Sequence, residues 1–263
     1  MSVLRSRENP RVRHWQRLVR DARARRSERR ALIEGVHLVT AFLEQGGRPL
    51  ALLVSEDGSQ RAEVALLMRR AAIEPVRLSN SLFRSIADTE APTGIAAEIE
   101  LPDRALRLQD SPCCVFLDGI QDSGNVGTIL RSAAAFGVRD VVLAKGCADP
   151  WSPKALRAGM GGHFALRVIE ADDLLAAIEH FGGKVMCTVA RGGVALNELD
   201  LRGRVAWIFG SEGQGVSEAL VARATHRATI PMAAGAESLN VAAAAAICLY
   251  ETRRQLSTGG APS

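Results

Sequence analysis

Two loops near the C-terminus combine glycines with carboxylate, amide and hydroxyl side chains. The apolar run 204–210 ends in a turn, residues 210–215, with the sequence Gly-Ser-Glu-Gly-Gln-Gly, and Ser238-Leu239-Asn240 precedes an alanine-rich helix. Three glycines in six residues let the backbone approach a flat ligand and offer it N–H and C=O groups. A second short run, 228–232, also ends near this point, so two strand ends and a helix start meet where open α/β sheets bind ligands. The arrangement suits an adenine-bearing cofactor.

A third polar loop, residues 118–127, precedes another predicted helix. It lacks the Gly-Lys-Ser/Thr end of a P-loop and contains no G-x-G-x-x-G, which disfavours a nucleotide triphosphatase or a dehydrogenase. Asn125 stands at the predicted helix start, and Arg131 follows about 1.7 turns later, so the two do not share one narrow face. Taken alone, Asn125, Ser238 and Asn240 could be ordinary helix caps, and Arg131 and Glu212 could be solvated charges.

Strands and helices alternate regularly through the second part of the chain. This pattern predicts an α/β domain with a parallel sheet covered on both faces. The predicted strands are 113–117, 140–144, 163–169, 184–190, 204–210 and 228–232, and the predicted helices are 125–136, 152–158, 172–181 and the one after Asn240.

The first 100 residues predict a smaller α/β unit. A basic helix is expected over residues 9–30, with Asn9 as its cap and Pro10 at its first position. Strands are expected at 31–37, 50–55, around Val76 and at 94–100, with helices at 38–45, 61–72 and 80–86 between them. Two prolines and the absence of a clear period place a linker at 101–112.

Charge is concentrated at the N-terminus. Residues 1–30 hold eleven arginines and three acidic residues, a formal charge of +8, whereas the whole chain carries +4 and the remainder therefore −4. A basic block on an otherwise slightly acidic protein is typical of contact with a polyanion. Arginine also suits bidentate phosphate binding, although a solvated helix face or a disordered arm would carry the same charge.

These motifs resemble those of one enzyme family. The segment 125–131, Asn-Val-Gly-Thr-Ile-Leu-Arg, the turn 210–215 and Ser238-Leu239-Asn240 are similar, in order, to the three motifs of the SpoU (TrmH-like) branch of the SPOUT RNA methyltransferases. The resemblance covers residues 113–255. Residues 1–100 more loosely resemble the small RNA-binding domain, with a ribosomal-protein-like α/β fold, that precedes the catalytic domain in ribosomal RNA ribose methyltransferases of this family.

The resemblance implies a fold and a division of the chain. The catalytic domain, residues 113–256, would be an α/β knot in which the C-terminal part threads a deep trefoil. Residues 1–100 would form the RNA substrate-binding domain, 101–112 the linker and 257–263 a flexible tail. Because the family pairs equivalent helices across a homodimer, we also expect a dimer.

The resemblance also implies site residues. S-adenosylmethionine would be the cofactor, held by backbone at Gly210, Ile230 and Leu239, with Thr188 a weaker candidate, and no metal would be needed. The implied catalytic residues are Asn125, Arg131, Glu212, Ser238 and Asn240. The family assigns proton acceptance to the arginine, but a guanidinium stays protonated and has no acceptor lone pair. We therefore expect Arg131 to grip an RNA phosphate and to stabilise developing alkoxide charge, with proton acceptance left open.

The function expected is methylation of an RNA ribose 2'-hydroxyl, on guanosine or another nucleoside, in large-subunit ribosomal RNA. Transfer RNA as the substrate, or a noncatalytic RNA-binding or antibiotic-protecting factor, are the alternatives. The set of five polar site residues argues against a mere binding factor, and 4% aromatic content disfavours a base-stacking reader of single strands.

Five cysteines without C-x-x-C spacing lie in apolar runs and predict buried, reduced thiols rather than a zinc site. The cysteine nucleophile that base C5-methylation would need has no companion motif. No apolar run is long enough to predict a membrane span, and the N-terminus lacks the apolar core of a secretory signal. We therefore expect a cytoplasmic protein.

Overall fold

The computed structural model describes residues 3–102, 108 and 111–258. The chain divides into two compact units, Met1–Asp103 with Trp151–Phe164, and Arg104–Pro150 with Ala165–Ser263. Most of the predicted linker, 101–112, and residues 259–263 of the predicted tail lie outside the described residues.

The first unit is built on a four-stranded mixed sheet with the strand order β1-β4-β2-β3. Its elements are α1 (Pro10–Arg20), α2 (Ala22–Glu28), β1 (Arg30–Glu34), α3 (Val36–Glu44), β2 (Ala51–Ser55), α4 (Ala62–Ala71), β3 (Val76–Leu78), α5 (Asn80–Ile86), β4 (Ile95–Glu100) and, from later in the chain, α7 (Pro153–Gly159). β4 runs antiparallel to both β1 and β2, whereas β2 and β3 are parallel. The prediction of a small α/β unit is confirmed.

The basic N-terminal segment forms two helices, so the prediction of one helix over 9–30 is wrong. Asn9 caps α1 as expected, and its side chain accepts from the Arg11 backbone N–H at 2.9 Å. Asp21 adopts an extended conformation that ends α1, and its carboxylate then caps α2 by accepting from the Arg23 N–H at 2.8 Å. The local hydrogen bonding of an aspartate therefore outweighs the helical charge pattern around it.

A buried carboxylate fastens α1 to the sheet. Glu98 on β4 is 4% exposed and accepts from Trp15 Nε1 at 2.8 Å, from Arg30 Nη1 at 2.8 Å and from His14 Nε2 at 3.0 Å. Burial alone raises the pKa of Glu98, but the donors of His14, Trp15 and Arg30 outweigh it, and the pKa lies below its ordinary value of 4.5. The ionised carboxylate is therefore part of the folded first unit.

The second unit contains a seven-stranded, wholly parallel sheet with the order β7-β6-β5-β10-β8-β11-β9, which confirms the predicted parallel architecture. Its elements are β5 (Cys113–Asp118), α6 (Ser123–Ala135), β6 (Asp140–Ala144), β7 (Arg167–Ala171), α8 (Leu174–Glu179), β8 (Lys184–Thr188), β9 (Val194–Ala195), β10 (Val205–Gly210), α9 (Glu218–Arg223), β11 (His226–Thr229) and α10 (Val241–Thr258).

Three local predictions need correction in this unit. The strand expected at 163–169 begins at Arg167, because His163 lies in a 3₁₀ turn over residues 162–165. The strand expected at 228–232 is β11, which ends before Ile230. The short elements β9 and α9 were not predicted, although Ser217 followed by Glu218 is an ordinary helix-start signal.

The strand order creates a switch point in the middle of the sheet. β10 lies between β5 and β8, and its last residue, Gly210, pairs with Asp118 at the end of β5. The connection after β5 leads to β6 on one side, whereas the connection after β10 leads towards β11 on the other. The loops that follow these two strands therefore diverge above the sheet, which is where open parallel sheets bind ligands.

Among the described residues, no helix combines the length and the apolar character that crossing a bilayer requires.

We expect Glu98→Gln to lower the free energy of unfolding by about 2 kcal/mol at pH 7, because charge-assisted hydrogen bonds to a buried carboxylate are lost. Since the folded pKa of Glu98 is depressed, its contribution is present above the ordinary pKa of 4.5 and is lost as pH falls below it. The difference between wild type and variant, measured as urea midpoints, should shrink below that pH. Glu100→Gln on the exposed end of β4 is the control and should change little. A difference in urea midpoint between wild type and Glu98→Gln that stays constant down to strongly acidic pH would contradict the conclusion that the ionised Glu98 stabilises the first unit.

Candidate functional site

One carboxylate joins three segments of the second unit that are far apart in sequence. Glu212 Oε1 accepts from Asn125 Nδ2 at 2.6 Å and from Asn240 Nδ2 at 2.9 Å. Asn240 Nδ2 also lies 3.1 Å from Asn125 Oδ1. No hydrogen bond from any described residue reaches Glu212 Oε2. The cluster is thus held on one carboxylate oxygen and leaves the other available.

The helix starts explain why both amides are free to reach Glu212. The expected start of α6 at Asn125 is wrong by two residues, because Asp122 is the cap and its carboxylate accepts from the Asn125 backbone N–H at 3.0 Å. The Asn125 side chain is therefore not used as a cap. Asn240 serves both purposes, since its Oδ1 accepts from the N–H groups of Ala242 and Ala243 at 2.9 and 3.2 Å while its Nδ2 meets Glu212.

The turn that carries Glu212 depends on glycine at both ends. Ser211 and Gly215 exchange two backbone hydrogen bonds of 3.1 and 2.9 Å, which fold the turn back on the end of β10. A Cβ atom at Gly210 would overlap the backbone of Gly215 and Val216. Gly215 has φ +70°, which favours glycine. The close approach that Gly210 permits is therefore that of the turn to itself, whereas the predicted approach of this backbone to a flat ligand stays a prediction.

A cavity of about 620 Å³ lies beside this turn, in the size range of pockets that bind cofactors. The residues predicted to hold a cofactor all line it, as do three of the predicted catalytic residues: Thr188, Gly210, Ile230 and Leu239, with Glu212, Ser238 and Asn240. Thr188 ends β8 and its hydroxyl donates to the Ile208 carbonyl at 3.2 Å.

The lining fits an adenosine that carries a charged amino-acid chain. Ile230, Met232, Leu239 and Val241 offer apolar surface for a flat base. The turn 210–215 offers backbone groups at its edge, and the Glu212 carboxylate offers negative charge. A side chain at Gly210 would need the turn to move, so the wall requires glycine there.

Ser238 lines the cavity without a hydrogen bond to the cluster, and Arg131 is the predicted catalytic residue that belongs to neither the cluster nor the cavity wall. It lies on the exposed face of α6 and lines neither this cavity nor the one described next. Its side chain forms no hydrogen bond or ion pair with any residue that the structure describes. The guanidinium is therefore free to meet a group from outside the chain.

A second, more polar cavity of about 390 Å³ also borders this turn. It is lined by residues 211–215, which also line the first cavity, and by the loop after β5 with Asn125 and Ser217. Sequence reasoning passed over Asp118, Gln121 and Ser217 in this wall. The signal that could have found them is the position of Asp118 at the carboxyl end of a buried strand.

The cysteines carry no sign of catalysis. All five are free, and only Cys147 is more than slightly exposed. Burial raises the pKa of Cys113 to about 12 and that of Cys187 to about 11. High pKa values and burial argue against the thiolate that base C5-methylation would need. Within the described part of the chain, no three His, Cys, Asp or Glu residues are grouped so that they could hold a metal ion.

Two family models match the chain, one over each part. Residues 112–250 match the SpoU rRNA methylase family, and residues 9–97 match the MRM3-like substrate binding domain. The 23S rRNA (guanosine(2553)-2'-O)-methyltransferase RlmP of Bacillus subtilis is 32% identical over 255 residues, covering 96% of this chain and all of that protein. A 23S rRNA (uridine(2479)-2'-O)-methyltransferase of Streptomyces viridochromogenes is 28% identical, covering 95% of this chain and 92% of its own length.

A solved structure agrees with this match. The SpoU methyltransferase AviRb from Streptomyces viridochromogenes, crystallised with its cofactor AdoMet, superposes with a TM-score of 0.85 at 26% identity, covering 97% of this chain and all of that one. This similarity and the strand order are consistent with the knotted α/β fold that the sequence motifs implied. The three motifs therefore meet in this structure as parts of one site, and the chain belongs to the SpoU rRNA methylase family.

Proposed function

We propose that this protein methylates a ribose 2'-hydroxyl of large-subunit ribosomal RNA, with S-adenosylmethionine as the methyl donor. The observation that carries the proposal is the cluster of Asn125, Glu212 and Asn240, two of which, Glu212 and Asn240, line a cofactor-sized cavity. Relatives that match almost the full length of the chain are named as 23S rRNA 2'-O-methyltransferases, which supports the choice of RNA.

The cofactor belongs in the 620 Å³ cavity. When bound, S-adenosylmethionine supplies a methyl group on a positively charged sulfur, and that sulfur departs as a neutral thioether. The backbone at Gly210, Ile230 and Leu239 would hold the adenosine, with Thr188 and Ser238 also in the cavity wall. No metal is required, because the sulfonium itself provides the leaving group.

Glu212 is the residue best placed to deal with the proton of the ribose hydroxyl. The hydroxyl is hardly ionised at neutral pH, so in-line attack on the methyl carbon needs an acceptor for its proton. Two asparagine amides hold Oε1, which leaves Oε2 to accept from the 2'-hydroxyl. As the carbon–sulfur bond breaks and the carbon–oxygen bond forms, the proton passes from O2' to this carboxylate.

Arg131 has a different role from Glu212 in the proposed methyl transfer. Its guanidinium has five N–H donors and no acceptor, so it cannot serve as a base near neutral pH. The free, exposed side chain on α6 suits bidentate binding of the phosphate next to the target ribose. This contact would align the ribose and offset the negative charge that develops on O2'.

The N-terminal arginines divide into those that hold the first unit together and those left for RNA. Arg25 is buried and donates to the carbonyls of Leu18 and Val19, which end α1. Arg17 donates to Glu28 and Arg30 to Glu98. The exposed side chains that form no hydrogen bond or ion pair with any described residue are those of Arg7, Arg11, Arg20 and Arg23. We assign the phosphate contacts of the RNA-binding domain, residues 1–100, to these four.

A homodimer is part of the proposal. On α10, Ala243, Ile247 and Tyr250 follow one another at helical spacing, and Ile247 and Tyr250 are 40% and 56% exposed. The Tyr250 ring also meets Phe136 at the end of α6, with the ring centroids 5.9 Å apart. An apolar stripe on α10, the helix that Asn240 caps, supports pairing of two copies through α6 and α10.

Two other functions remain as alternatives. Transfer RNA as the substrate would leave the chemistry unchanged. A noncatalytic RNA-binding factor would have no need for a carboxylate fixed by two amides beside a cofactor cavity.

The first experiment is methyl transfer from labelled S-adenosylmethionine to unmodified 23S rRNA transcripts and, separately, to transfer RNA. We expect label in 23S rRNA that survives alkaline hydrolysis within a dinucleotide, because a methylated 2'-oxygen cannot attack the adjacent phosphate. Arg131→Ala should lower the transfer rate about 100-fold without changing cofactor affinity. Arg139 is exposed just beyond α6, and Arg139→Ala is the control that should leave the transfer rate unchanged. Label in transfer RNA alone would make transfer RNA the substrate. Cofactor binding without methyl transfer to either RNA would favour a noncatalytic RNA-binding factor.

Glu212→Gln keeps the shape of the side chain but removes the charge that accepts a proton. We expect kcat to fall about 100-fold, whereas the affinity for S-adenosylmethionine, measured by calorimetry, should fall much less, because Glu212 is one of many residues that line the cofactor cavity. Glu218→Gln at the exposed start of α9 is the matched control. Equal activity of Glu212→Gln and wild type would remove Glu212 from the proton transfer.

The dimer is tested by sedimentation velocity at micromolar concentration. Ile247→Arg places a charge in the apolar stripe and should convert the dimer to a monomer with an unchanged circular dichroism spectrum. Leu66→Arg, at a 50% exposed position on α4, should leave the dimer intact. A monomeric wild type under these conditions would refute the homodimer.

A further inference from the structure

We propose that the 390 Å³ cavity receives the target nucleoside and that Asp118 reads the N–H edge of its base, which makes guanosine the matching nucleoside. This inference rests on the proposed function and names the part of the RNA that the reaction selects. The match to the SpoU family does not identify the residues that bind the target base.

The 390 Å³ cavity lies between two loops at the switch point of the sheet. Its walls are the loop after β5, residues 118–122, and the turn after β10 that leads to Ser217. These loops diverge at the switch point of the sheet, where ligands bind in parallel α/β folds. The cavity therefore lies at a ligand position of the architecture and is not an incidental surface groove.

The 390 Å³ cavity shares part of its lining with the cofactor cavity. Residues 211–215 line both cavities, so Glu212 lies at the border that the two cavities share. A ribose bound against Glu212 would present its 2'-hydroxyl at this border, next to the cofactor. Asp118 and Gln121 line only the second cavity, so a base attached to that ribose would extend towards them.

The charged side chains that line the 390 Å³ cavity are all acidic among the described residues. Among the described residues that line the cavity there is no arginine or lysine, whereas Asp118, Asp122 and Glu212 contribute carboxylates. Such a lining does not favour a phosphate group, which we place outside it, at Arg131. It favours hydrogen-bond donors, such as ribose hydroxyls and the N–H groups of a base.

Asp118 is the carboxylate that can read the base. Its Oδ2 accepts from the Ser217 backbone N–H at 2.8 Å, which fixes the side chain between the two loops, and no described residue donates to its Oδ1. Guanine presents two adjacent donors, N1–H and the N2 amino group, on its Watson–Crick edge, and a carboxylate can accept from both. Uracil has one such N–H between two carbonyl acceptors, and adenine and cytosine have an amino group beside an acceptor nitrogen. Enzymes that modify single nucleotides commonly read this edge in a pocket.

Gln121 gives a direct way to block the cavity. It is exposed, its side chain makes no hydrogen bond with the described part of the chain, and it lies outside the cluster proposed for catalysis. A tryptophan at this position would occupy the space proposed for the base without touching the cofactor cavity. Gln45→Trp, at an exposed position after α3, is the matched control.

The test uses the full chain, 23S rRNA transcripts and labelled S-adenosylmethionine, with the product digested to nucleosides. We expect label in 2'-O-methylguanosine and a rate for Gln121→Trp about 100-fold below wild type and Gln45→Trp, with cofactor affinity unchanged within about threefold. Asp118→Asn can still accept from the Ser217 N–H but cannot take two donors from guanine as an anion, and we expect a rate about tenfold lower.

The outcomes separate this inference from the proposed function. Transfer by wild type together with undiminished transfer by Gln121→Trp would overturn the pocket. Loss of cofactor binding in Gln121→Trp would show that the two cavities are not separate and would overturn it as well. Label in a nucleoside other than 2'-O-methylguanosine would overturn the assignment to Asp118 of guanine recognition. No transfer by wild type to any RNA would instead refute the proposed function, and this inference with it.

Discussion

The hydrogen bonds that Glu212 Oε1 receives from Asn125 and Asn240 hold the site of this protein together. The three residues come from the start of α6, the turn after β10 and the start of α10, which only the tertiary structure brings to one place. Two neutral amides on one oxygen fix the carboxylate without neutralising it. The other oxygen keeps the acceptor capacity of an anion, so one side chain can combine a structural contact with the proton acceptance that we propose for it.

The glycine turn makes this cluster possible and also divides the space around it. Because Gly210 has no Cβ, the turn folds tightly over the end of β10, and the same five residues, 211–215, line two adjacent cavities. The cavity lined by apolar side chains suits the adenosine of the cofactor, and the cavity lined by carboxylates and amides suits a nucleoside. One acidic side chain at the border of the two cavities could therefore meet a hydroxyl from one and a methyl donor from the other.

The first unit shows that charge by itself says little about function. Eleven arginines precede residue 31, yet Arg25 is buried against backbone carbonyls and Arg30 belongs to the Glu98 network. Their hydrogen bonds stabilise the packing of α1 and α2 on the sheet. The exposed arginines without an acidic partner among the described residues keep all of their donors available for phosphate. The positive charge of the segment therefore contributes to folding through some arginines, and we assign the proposed RNA contact to the others.

The sequence by itself determined most of the elements and the family. Apolar runs marked β5, β8 and β10, caps such as Asn9 marked helix starts, and three motifs in order indicated the methylase family, because these features depend on neighbouring residues. Tertiary structure decided which polar groups meet. Local pattern could not show that Glu212 meets both Asn125 and Asn240, that Asp118 accepts from Ser217, or that Arg131 lies apart from the cluster. Those outcomes depend on the order of strands in the sheet, which places β10 next to β5 across about ninety residues of chain. Contacts over such a separation leave no periodic trace in sequence, and they are the contacts that form the site.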